Sequence, residues 1–145
     1  MLEMLLTYLV GLLGGMAVGT QTPIVGLMSQ RVGATASSLI VHLGGTLLSG
    51  LLLLLRGGEQ IHAWRSLPWY MLASGSVGLL LYLSVAHTVP RIGAAGAITL
   101  VIVGQLIAGV TLDHFGLFGL VPRSLEAGRA GGLALVMLGG YLLVR

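Results

Sequence analysis

The 24 residues from Val32 to Leu55, V-G-A-T-A-S-S-L-I-V-H-L-G-G-T-L-L-S-G-L-L-L-L-L, carry no formal charge and end in five successive leucines. A helix of that length measures about 36 Å at 1.5 Å per residue, enough to cross the roughly 30 Å of hydrocarbon in a bilayer. The same test picks out Met4 to Gln30, Ser66 to Pro90 and Ile92 to Leu112 as further uncharged stretches. A fifth, Ala130 to Val144, is shorter and reaches spanning length when Arg129 snorkels its guanidinium to the interface. These stretches predict an all-α integral membrane protein of five transmembrane helices, at about 4–28, 36–55, 68–87, 93–112 and 127–144, in one transmembrane domain over 1–145.

Composition agrees. The 145-residue chain is 56% hydrophobic and 8% charged, with 24 glycines, whereas soluble domains run at about 25% charged and about 7% glycine. The net charge of +3 comes from scattered arginines with no lysine, so there is no basic face to follow a phosphate backbone and no nucleic-acid partner is expected. The absence of cysteine excludes disulfides, thiolate metal sites and cysteine nucleophiles. Glu3 stands where a signal peptide would be basic, so the first apolar run reads as a retained helix. No P-loop, G-x-S-x-G or H-E-x-x-H motif is present, and His42, His62, His87 and His114 lie in separate segments. The expectation is therefore no enzyme, no metal and no cofactor.

Punctuation suits the predicted boundaries. Pro68 fits the first turn of the third helix with Ser66 as a cap, Trp64, Trp69 and Tyr70 form an interfacial cluster, and Pro90 ends that helix. In a five-span chain Arg56, Arg65, Arg123 and Arg129 fall on one side, and Arg31, Arg91 and Arg145 on the other. So small a bias permits both orientations in one membrane, and two oppositely oriented copies would make a 5+5 inverted repeat with substrate at the repeat interface. The alternatives are an oppositely oriented sister protein, or a parallel oligomer with a role other than transport.

The segment from Val89, V-P-R-I-G-A-A, continuing through V-G-Q-L-I-A-G-V-T-L-D-H-F-G-L-F-G-L to Leu120, resembles the signature of the YdcZ-like family of small bacterial inner-membrane proteins in the drug/metabolite transporter superfamily. Gly19 to Pro23, G-T-Q-T-P, is similar to that family's Q-x-P in helix one, and Gly45-Thr46 to its G-T in helix two. Arg129 to Arg145 resembles its closing helix, while Val25 and His42 depart from the pattern. The resemblance implies a multi-pass inner-membrane protein acting as a five-span half of a transporter, paired with itself or with a sister protein.

Polar side chains at membrane depth are costly unless they meet a cavity or a neighbour, which makes them candidates for function. Gln21, Thr22 and Pro23 form a polar, proline-interrupted stretch of helix one, read either as a substrate site or as a kink relieved by threonine hydroxyls. Gln105, near the middle of helix four, either binds substrate or ties helices together. Three residues are proton-coupling candidates: Asp113 and His114, an acid–imidazole pair at the end of helix four, and His42 in helix two. Each also has a structural reading, as a solvated helix end and as a neutral hydrogen-bonding side chain. Small residues spaced by four, as in Gly11, Gly15 and Gly19, read as packing faces.

The expected function is secondary transport, as an exporter of small metabolites or other small solutes, by an antiparallel dimer of five-span halves in the bilayer. A site without central charge suits neutral, zwitterionic or lipid-linked solutes. The alternative is a non-transporting subunit or regulator of another membrane protein.

Overall fold

The computed structural model describes residues 2–144, so Arg145 of the charge count lies outside the described residues. The helices are α1 (Leu2–Val32), α2 (Ala34–Leu55), the single turn α3 (Trp69–Leu72), α4 (Ser74–Phe115) and α5 (Ala127–Val144), with 3-10 turns at Ile61–Ser66 and Leu117–Gly119. No strand occurs among the described residues. Among the described residues, four helical stretches are long and apolar enough to cross a membrane: α1, α2, Trp69–Phe115 and α5. Their apolar side chains face outward, Leu47 at 75% and Leu54 at 77% exposure, as suits a chain whose solvent is hydrocarbon.

Helix α1 has 31 residues, about 46 Å along its path, longer than the hydrocarbon is thick, so it has length to span with tilt or with a bend. It runs through Pro23, where threonine hydroxyls turn back on the same helix: Thr20 Oγ1 donates to the Met16 carbonyl and Thr22 Oγ1 to the Val18 carbonyl, each at 2.8 Å. These bonds satisfy hydroxyls that lipid would leave unpaired. One residue separates α1 from α2. Gly33 adopts φ 87°, ψ 157°, a conformation open only to glycine, and its N–H donates to the Ser29 carbonyl at 2.9 Å.

Pro90 does not itself end a helix; it lies within the 42-residue α4, which departs from helical geometry three residues later at Gly93, with φ 73° and ψ 170°. Proline forfeits one bond, and nearby Thr88 Oγ1 donates to the Ser84 carbonyl at 2.8 Å, whereas a positive φ is a full break that glycine permits. Ser66 does not cap the next helix either. Its hydroxyl donates to the Ala63 carbonyl at 2.8 Å, and Pro68 stands at the N-cap of α3.

The chain divides into two compact units, one up to Pro90 and one from Arg91. In the first, α1 and α2 pack together, Ser37 Oγ of α2 donating to the Val25 carbonyl of α1 at 3.4 Å, and Val25, Gly26, Ser37 and Ser38 are buried. Gly26 lets Val89 approach so closely that a Cβ there would lie 2.5 Å from Val89 Cγ1. In the second, Gly140 of α5 meets Thr99 of α4, whose Cγ2 would stand 2.7 Å from an added Cβ. Gly11, Gly15 and Gly19 have open space beside them, so the tight approaches use other glycines than this regularly spaced set. A small residue permits close approach but does not compel it.

Candidate functional site

Helix α2 is apolar on most of its surface, and His42 is the one imidazole on it. Its Nδ1 lies 2.7 Å from the Ser38 carbonyl one turn earlier, and 3.3 Å from the Ser38 hydroxyl. A carbonyl can only accept, so Nδ1 carries a proton and donates it. The ring stands edge-on to Tyr82 of α4, with centroids 5.0 Å apart and planes at 71°, a favoured aromatic geometry. Gly78, one turn before Tyr82, makes room for it, since a Cβ at Gly78 would lie 3.3 Å from Nε2.

Beside this pair lies a groove of about 540 Å³ in the first unit, lined by Gln21 of α1, His42, Thr46 and Ser49 of α2, and Tyr82 of α4, with Val41 and Leu53 as apolar walls. None of its lining residues is charged. Ser49 Oγ donates to the Gly45 carbonyl at 2.7 Å, so its oxygen faces the groove with only lone pairs to offer. The groove can hold a solute of a few hundred cubic ångströms by hydrogen bonds and ring contact, with no fixed charge to neutralise.

The structure brings Gln21 and His42, singled out separately in the sequence, to this one groove. Thr22 is buried with its hydroxyl on the Val18 carbonyl, and Pro23 is half-buried within α1; neither lines the groove. Gln105 is exposed on α4 in the second unit. Also in that unit, Asp113 is held by Arg129, Nη2 to Oδ2 at 2.6 Å, and His114 Nδ1 accepts the Leu125 N–H at 3.4 Å. Gly116 turns the chain there at φ 60°, tight against Pro122.

Tyr82, Thr46 and Ser49 were not expected at a site. A tyrosine far from both ends of an apolar stretch was the available signal, since tyrosine favours the membrane interface. Thr46 and Ser49 follow His42 by four and seven residues, the spacing of one helical face.

The model of a family described as "Putative inner membrane exporter, YdcZ" matches residues 6–142, nearly the whole chain. No curated protein and no solved structure matches it.

Proposed function

The chain belongs to this YdcZ family of the drug/metabolite transporter superfamily, and from that membership we propose that it is a five-span half of an exporter that moves small solutes through the groove beside His42. The observation that carries the reading is the convergence of Gln21, His42 and Tyr82, from three helices, on one uncharged groove among segments built for lipid. Polar groups at that depth are costly unless they serve a cavity.

The five-span count is supported by α4. The glycine-only geometry at Gly93 divides its 42 residues into two segments, each of about 20 residues and so of spanning length. Five spans with four arginines on one side and three on the other suit insertion in both orientations, hence an antiparallel homodimer or a pair with an oppositely oriented sister protein. Gln105 and Thr22 remain candidates for the substrate path of the assembled pair. Proton coupling through Asp113 would require it to part from Arg129.

The test is reconstitution of the purified chain alone into vesicles loaded with a bacterial small-metabolite extract, with released solutes identified by mass spectrometry against protein-free vesicles. Selective release is expected, and its loss in Gln21→Leu with the dimer intact assigns it to the groove. Vesicles that release nothing beyond the protein-free control would overturn the reading in favour of a non-transporting subunit.

A further inference from the structure

Thr35, Ser38, His42, Thr46 and Ser49 recur along α2 at intervals of three, four, four and three. With 3.6 residues per turn they share one face within an arc of about 80°, and they climb about 21 Å, most of the hydrocarbon thickness. Leu43 and Leu47 lie off this row and are exposed, at 53% and 75%. The row does not end with the groove already described. A second cavity of about 410 Å³ in the same unit is lined by Thr35, Ser38 and His42 with Gly75, Ser76 and Leu79. His42 lines both cavities, and every hydroxyl of the row lines one or the other.

We propose that this row is one continuous track for an uncharged solute rich in hydrogen-bond donors, a polyhydroxy or amide compound, with His42 as the station where the two cavities meet. The inference rests on the transport reading above and adds the path and the solute class. The class follows from what the row offers. The Ser49 hydroxyl proton is held by the Gly45 carbonyl, so Ser49 Oγ offers the groove only lone pairs, and with the Nδ1 proton on the Ser38 carbonyl a neutral His42 ring adds Nε2 as an acceptor beside Gly78. Acceptors select solutes that donate. No carboxylate or guanidinium lines either cavity, so an ion would enter without a counter-charge, at a desolvation cost that an uncharged solute avoids. The Tyr82 ring beside His42 supplies an apolar face for the carbon skeleton.

The chain has no cysteine, so single cysteines report without removing any native thiol. Thr35→Cys, Ser38→Cys, His42→Cys, Thr46→Cys and Ser49→Cys, with Leu43→Cys and Leu47→Cys as references, are reconstituted into phosphatidylethanolamine–phosphatidylglycerol vesicles. They are then treated with an uncharged hydroxyethyl methanethiosulfonate, and release from the metabolite load is measured on the same vesicles. The Thr35, Thr46 and Ser49 positions are expected to react at least about tenfold faster than the two leucine positions, because the reactive thiolate forms where water reaches, and the Ser38 position, which is buried, more slowly than these three. Released compounds should be uncharged and hydroxyl- or amide-bearing. Slow reaction along the row with release intact would overturn the track and leave the transport reading standing. Disulfides between copies at these positions would overturn it by making the row an interface, and release of organic cations or anions would overturn the solute class. A reactive row with no release on any load would overturn the transport reading and the track with it.

Discussion

Arg129 near the start of α5 places Nη2 2.6 Å from Oδ2 of Asp113, sixteen residues earlier near the end of α4. The backbone closes around the pair, with Arg129 Nη1 donating to the Arg123 carbonyl at 3.3 Å and the Arg123 N–H to the Asp113 carbonyl at 2.8 Å. Both side chains are about one-third exposed, which moderates their attraction. Asp113→Asn and Arg129→Gln should each lower the thermal midpoint of the detergent-solubilised protein. A double-mutant cycle should return a coupling of about 0.2–1 kcal/mol, and strictly additive effects would show that the pair is not coupled.

Gly26 and Val89 make the tightest approach in the first unit, so size there is the variable to change. Gly26→Ala should destabilise the fold by about 1–3 kcal/mol through overpacking. Val89→Ala in the same chain should recover part of that loss, an outcome that calorimetry or denaturant titration in micelles can read.

Gly93 occupies φ 73°, ψ 170°, where any side chain strains the backbone. Gly93→Ala should cost about 1–3 kcal/mol. Gly14→Ala, at a helical position with nothing within 4 Å of the added Cβ, should be neutral or stabilising by up to about 1 kcal/mol. Equal effects of the two, measured as shifts in thermal midpoint, would remove the special status of Gly93.

Gln21→Leu and Tyr82→Phe separate two kinds of groove contact. The first removes an amide from the lining and should reduce solute release by about tenfold, the worth of one good hydrogen bond. The second keeps the ring that meets His42 at 5.0 Å and should leave release within about threefold, a shift of about 0.6 kcal/mol. Release assays on vesicles with matched protein content distinguish them.

The membrane-spanning character of the chain was legible because hydrocarbon thickness fixes how long an uncharged stretch must be, and Val32 to Leu55 meets that length. The fate of Pro90 was not, because a proline in a helix costs one backbone bond that packing can outweigh, whereas the break at Gly93 depends on a torsion angle that sequence permits without requiring. Gln21 and His42 stood out singly as polar groups in apolar stretches. Their meeting with Tyr82 depends on how α4 lies on α2, forty residues away, which no local periodicity encodes. The pairing of Asp113 with Arg129 was hidden for the same reason, although the snorkelling expected of Arg129 had already placed its charge at the interface.

The one-residue junction at Gly33 bears on biogenesis. With one residue between them, α1 and α2 leave no room for an intervening segment, and their contact through the Ser37 hydroxyl on the Val25 carbonyl makes them a helical hairpin, the unit in which they would enter lipid together. The orientation of α1 is then decided jointly with that of α2, with Arg31 as the charge at the hairpin tip.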